Sequence, residues 1–166
     1  TIISSDKDLM QLVGGGVEML DAMKNRLIDA AGVEEKFGVG PDRVVDVQAL
    51  AGDSVDNVPG APGIGVKTAA LLINEFGSLD ALLDRAEEIT QPKRRQTLIE
   101  NRAQIELSRQ LVQLDCHMPL DFTLDDLELR DPDPDTLLGF LAEMEFRTLS
   151  KRIADRLGAE AAVISD

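Results

Sequence analysis

The chain has 166 residues, 43% of them hydrophobic, and a formal net charge of −14. That suits one compact domain or the larger part of one, and the interspersed charges exclude wholesale disorder. The five aromatics are all Phe and Cys116 is the single cysteine, which excludes base stacking as a main binding device and any internal disulfide.

Residues 1–4 read as a short strand, with Asp6 and Asp8 just past its end. A short helix is expected over 8–13 and is broken by Gly14, Gly15 and Gly16. Residues 17–20 and 26–28 read as two strands joined by a turn near Lys24 and Asn25. One or two helical turns over 30–37 end at Gly38. Pro41 suits the first turn of a helix carrying Val44, Val47, Leu50 and Ala51, which Gly52 ends. A polar, Gly- and Pro-rich loop fills 53–65.

The clearest helix spans 66–76, with Ala69, Leu72, Ile73 and Phe76 at i, i+3, i+4 and i+7. Gly77 fits its stop, and Ser78 can cap the next helix. Helical runs follow over 79–86 and 93–112, then an extended acidic stretch over 119–135. Pro134 opens a helix carrying Leu137, Leu138, Leu141 and Met144, and a last helix covers 148–157. The fold class expected is an α/β fragment (1–40) followed by a mainly helical subdomain (41–157) and a tail (158–166). The chain lacks an initial Met and starts inside a strand, so a piece of a longer protein is expected.

A charge of −14 argues at first sight against nucleic acid, but the charge is polarised. Between 121 and 135 stand seven acids and one base, Arg130; between 93 and 109 stand five bases and two acids, Glu100 and Glu106. No apolar run approaches the roughly 20 residues of a membrane span. With one cysteine, a reducing, cytoplasmic setting is the expectation.

Four aspartates form the first constellation: Asp6 and Asp8 past a strand, Asp53 and Asp56 past a helix. Strand ends of an open α/β sheet line the crevice where ligands bind. Carboxylates are hard donors suited to Mg2+ or Mn2+, and a divalent ion relieves their mutual repulsion. Loop acids and helix caps are the bland alternative. The second constellation is Gly60, Gly63, Ile64, Gly65, Lys67 and Thr68, leading into the clearest helix. Glycines let backbone N–H groups approach a phosphate, and the helix start adds free donors, so a nucleic-acid phosphate can be held without reading sequence; a plain loop and capped helix is the alternative. A nucleotide P-loop is disfavoured, because Val66 stands between Gly65 and Lys67 and no strand precedes the turn. His117 is the only histidine, which leaves no all-internal His/Cys zinc site and no support for Ser-His catalysis. The basic run Lys93-Arg94-Arg95 reads first as solvated surface.

Three blocks together resemble the 5′-nuclease domain of bacterial DNA polymerase I, in the flap endonuclease group. They are Ser5-Asp6-Lys7-Asp8-Leu9-Met10-Gln11-Leu12, then Gly52-Asp53-Ser54-Val55-Asp56-Asn57-Val58-Pro59-Gly60, then Gly63-Ile64-Gly65-Val66-Lys67-Thr68-Ala69. The resemblance implies a truncated 5′-nuclease fold with a helix-hairpin-helix motif. It implies that Asp6, Asp8, Asp53 and Asp56 hold divalent metal, directly or through water, within a two-metal site of the intact domain. It also implies that the hairpin grips duplex DNA and holds a monovalent cation, commonly potassium. The implied reaction is phosphodiester hydrolysis at 5′ ends and flaps, including nicks and RNA-primer junctions. The setting implied is the bacterial nucleoid, with polymerase domains further along the parent chain. The family's N-terminal half has no counterpart here, so the fragment alone is expected to be inactive. Two other readings remain open at this stage: a non-catalytic helix-hairpin-helix binding module, and an acidic interaction domain.

Overall fold

The computed structural model describes residues 1–159; the part of the expected tail over 160–166 lies outside them. By compactness the chain divides into Thr1–His117 and Met118–Asp166.

The first unit opens on a three-stranded sheet of β1 (Ile2–Ile3), β2 (Met19–Asp21) and β3 (Arg26–Ile28). β2 is central, parallel to β1 and antiparallel to β3. The register aligns Ile2, Met19 and Ile28 in one row and Ile3, Leu20 and Leu27 in the other. Successive side chains alternate in face, so the first row enters the core and the second stays outside. Met19 is fully buried, whereas Ile3 is 70% and Leu27 54% exposed. Between β1 and β2, the expected short helix is a 3-10 turn over Lys7–Leu12, capped by the Asp6 carboxylate accepting from the Asp8 N–H.

The helices form where their end signals stand. α1 (Ala30–Phe37) is capped by Asp29 accepting from the Gly32 N–H and closed by Gly38 in the left-handed region. A 3-10 turn at Pro41–Arg43 leads into α2 (Val44–Ala51). α3 spans Val66–Phe76, and α4 (Leu79–Asp84) is capped by Ser78. The single helical run expected over 93–112 is two helices, α5 (Pro92–Glu100) and α6 (Arg102–Val112). Asn101 interrupts them, its side-chain amide bonded to the Thr97 carbonyl, a local bond that competes with helix continuation.

α2 lies at the centre, against α3 and α6. Val44, Val47, Ala49 and Leu50 are fully buried. One apolar cluster runs from Met10 to Ile105 and takes in sheet and helices alike, so it crosses position 40, where composition marks a change. Burial of this kind stabilises by roughly 25 cal/mol per Å² of apolar surface.

In the second unit, a 3-10 turn over Leu124–Leu127 carries a capping box between Thr123 and Asp126. α7 (Pro134–Glu143) and α8 (Arg147–Leu157) pack through Leu138, Leu141 and Ala154. No described helix is long and apolar enough to cross a membrane.

Candidate functional site

The loop between α2 and α3 builds the site. Gly52 ends α2 with a φ of 72°. Asp53 and Val58 then pair in both directions, with N···O distances of 2.9 and 2.7 Å, closing residues 54–57 into a tight excursion with Asn57 at a φ of 59°. Gly60 is locked next. Its N–H donates to Ser108 Oγ at 3.0 Å, and its carbonyl accepts from Gln104 Nε2 at 2.6 Å, both residues on α6. The Ala61 N–H bonds the Leu50 carbonyl at 2.7 Å.

This frame brings Asp53 and Asp56 to Asp8, which the 3-10 turn after β1 presents. One carboxylate oxygen from each of the three lies within 4.8 Å of the others. Asp53 is buried and uses Oδ1 to accept from the Val55 N–H. Its other oxygen is buried without a fixed N–H donor and meets only the Lys7 ammonium, which also stands 3.9 Å from Asp56. Asp8 accepts from Gln48 Nε2 of α2, while Gln48 Oε1 is buried without a partner. Three carboxylates against one ammonium leave a formal charge of −2, matching the requirement of a divalent cation.

Asp6, expected to hold metal directly or through water, lies outside this group of three. One of its oxygens, Oδ1, accepts from the Asp8 N–H, because a residue at that extended position is the natural cap for the turn. It lines the same cleft as Lys7, Asp8 and Asp56. Lys7 and Gln48 are the residues sequence reading passed over. The available signals were a base between two acids and a lone amide within an apolar helix.

Electrostatics separate the acids. Burial opposes ionisation of Asp53, but the Lys7 hydrogen bond and the Val55 N–H outweigh it and hold its carboxyl below the ordinary value of 3.8. Asp56 is pushed above that value by desolvation and by the charges of Asp53 and Asp8. Lys7 is raised above 10.5, chiefly by its hydrogen bond to Asp53. Folding therefore favours ionised Asp53, a contribution lost only as pH falls through its lowered value. The Lys7 contribution is lost only as pH rises through its own raised value. Folding disfavours charge on Asp56, so protonation there relieves strain. As pH falls from neutral, Asp56 is expected to titrate before Asp53. Carboxyl-carbon NMR checks this; a midpoint for Asp53 above that of Asp56 would overturn the Lys7–Asp53 assignment.

The second constellation divides. Gly60 is buried with both backbone groups used by α6, and the Ile64 side chain belongs to the core. Gly63, Gly65 and Lys67 are exposed, and Thr68 is half-buried in the first turn of α3. The N–H groups of Gly63 and Gly65 donate to no protein acceptor among the described residues, and Lys67 has no carboxylate within 4.0 Å there.

The acidic triad, with Asp53 buried, Asp8 half-buried and Asp56 exposed, is joined by one loop to the start of α3. The chain belongs to the 5′-3′ exonuclease family: the model described as "5'-3' exonuclease, C-terminal SAM fold" matches residues 39–135. DNA polymerase I of Rhizobium leguminosarum is 53% identical over 164 residues, covering 99% of this chain and 16% of that protein. The 5′-3′ exonuclease of Aquifex aeolicus is 36% identical over 152 residues, covering 92% of this chain and 51% of that protein. Among solved structures, the bacteriophage T5 D15 flap endonuclease (D155K) pseudo-enzyme-product complex with DNA and metal ions aligns with a TM-score of 0.62. It is 25% identical, with 66% of this chain and 41% of that one covered. The chain thus spans about one sixth of the polymerase and half of the exonuclease.

Proposed function

We propose that this chain is part of a DNA polymerase I-type 5′-3′ exonuclease and flap endonuclease, which hydrolyses phosphodiesters at 5′ ends and flaps in replication and repair. The observation that carries the reading is the carboxylate triad, whose three acids face a single ammonium, Lys7, and keep a residual charge of −2. Asp8, Asp53 and Asp56 would hold Mg2+ or Mn2+, with Asp6 at the rim acting through water or against a second ion. Such an ion supplies a nucleophilic water and stabilises charge on the attacking and leaving oxygens. The chain's own contribution is to fix the triad: Gln48 orients Asp8, the Asp53–Val58 pair fixes the loop, and Lys7 keeps the acids together.

The helix-hairpin-helix reading belongs to α2, the loop and α3. Gly63, Gly65, Lys67 and Thr68 grip phosphates of a nicked or flapped duplex, while Gly60 and Ile64 brace the turn from inside. A monovalent cation, commonly potassium, at the hairpin is part of the same reading. The DNA and metal ions named for the T5 complex support it. RNA-primer junctions are natural substrates of this chemistry, and the working place is the bacterial cytoplasm at the nucleoid. The 16% coverage of DNA polymerase I supports polymerase domains in the parent.

The fragment alone is inactive on this reading. Ile3 and Leu27, exposed on the sheet's outer face on either side of the half-buried Leu20, support a missing layer, and two-metal hydrolysis needs further ligands and a held phosphate. The test combines a Mn2+ titration by calorimetry with duplex binding by Lys67→Ala. Binding of Mn2+ is expected, together with a salt slope lower by about one and equal weakening on all sequences. A silent metal titration with intact DNA binding would favour the non-catalytic module. Unchanged affinity and slope would remove Lys67 from the interface.

A further inference from the structure

We propose that the groove between the Gly63 turn and the first half of α5 is a second phosphate-binding position for duplex DNA, with Lys93 and Arg94 as its cations. This rests on the duplex-binding reading of the hairpin and extends it to a segment that reads from sequence as plain solvated surface. Gly63 and Ile64 line one wall of a groove of about 250 Å³; Lys93, Arg94 and Thr97 line the other. Lys67 is not among its lining residues and borders a different depression beside Lys36, so the groove is separate from the α3 helix start.

The partners of the three bases carry the argument. Arg95 turns inward and donates to the Ile89 carbonyl at 3.1 Å, so it serves the fold. Lys93 and Arg94 have no carboxylate within 4.0 Å among the described residues. Elsewhere in this unit Arg26, Arg43, Arg85, Arg102 and Arg109 are each paired with an acid. In a chain of net charge −14, two neighbouring bases without an acid partner leave a local positive charge beside the groove. Opposite them stands the N–H of Gly63, which no protein acceptor takes among the described residues, and Thr97 lies on their own wall. Cations and a hydroxyl on one wall and an unused N–H on the other complement a phosphodiester, which offers only acceptors and a negative charge. Phosphates recur along each strand at a rise of about 3.4 Å, so a duplex seated on the hairpin turn reaches both walls.

The test is fluorescence anisotropy of nicked duplex DNA over a salt series, on the 166-residue chain. Wild type is compared with Lys93→Ala/Arg94→Ala and with a charge-matched control, Lys24→Ala/Arg85→Ala, whose bases already have acid partners. The groove variant is expected to bind several-fold more weakly, with a salt slope lower by about one to two, while the control keeps the wild-type slope. Circular dichroism verifies folding. Should the half-buried Arg94 prove necessary for it, Lys93→Gln at an exposed position is expected to lower the slope by about one. A wild-type slope in the groove variants overturns the proposal, as does an equal fall in the control, which would reveal only the chain's overall field. Wild type that fails to bind duplex overturns the hairpin reading together with it.

Discussion

Asp53→Asn in the intact parent protein is expected to cut flap cleavage by about a hundredfold or more, while duplex binding changes little. Outer partners of a metal site typically account for 10–100-fold, and Asp53 stands closer than that. It is the buried member of the triad, and its carboxyl is held below its ordinary value. The substitution is isosteric, and the Asn carbonyl can still accept the 3.0 Å bond from the Val55 N–H, so the loop keeps its shape. The Lys7 side chain, 29% exposed, can turn to solvent when its partner loses charge. The change removes one negative charge from a group whose residual charge is −2, and with it the drive to take up a divalent ion. The DNA grip proposed above lies elsewhere, at the exposed turn and at Lys67, which accounts for the expected split. Cleavage at the wild-type rate by a folded variant would remove Asp53 from the metal site.

Much of this arrangement was legible in the sequence because local rules governed it. Asp29, Ser78 and Gly38 stand where helix ends require them, and α1 and α3 fall at their expected bounds. The three motif blocks were enough to indicate which acids come together, apart from Asp6. Asp6 stands apart from the three because one of its oxygens caps the turn, a role settled by local backbone geometry. What stayed hidden depends on distant partners. Nothing near Lys7 in the chain says that its ammonium will meet Asp53, and nothing near Gln48 says that it will orient Asp8. Gly60 looked like a phosphate contact because it belongs to a glycine-rich turn. Its actual partners, Ser108 and Gln104, lie on α6. The available hint was a small polar residue, Ser108, on the α6 face that buries Ile105 and Val112.

That difference between Gly60 and its neighbours makes Gly60→Ala the most damaging small substitution expected in the chain. Gly60 sits at a φ of +60°, and an added Cβ would lie 2.3 Å from the Gly52 nitrogen, 2.6 Å from its Cα and 2.7 Å from the Ala51 carbonyl carbon. All three are backbone atoms at the end of the central helix, so no side chain can swing away. A left-handed conformation costs a non-glycine residue about 1–2 kcal/mol, and forcing a methyl into a closed contact costs about 1–3 more. The sum, about 2–5 kcal/mol, is a large share of the 5–15 kcal/mol typical of a whole domain. Relief requires the chain at 60 to move off Gly52, which strains the bonds to Ser108 and Gln104 and shifts Asp53 directly after Gly52. Metal affinity and duplex binding should therefore fall together, although position 60 faces neither ligand. Gly63→Ala is the control: its φ is +75°, but an added Cβ meets nothing within 4 Å, so only the backbone term of about 1–2 kcal/mol remains. Thermal melts of the two variants decide the matter. A Gly60→Ala melting temperature equal to that of Gly63→Ala would mean that the Gly52–Gly60 contact yields freely, and that the loop does not tie the metal cluster to the hairpin.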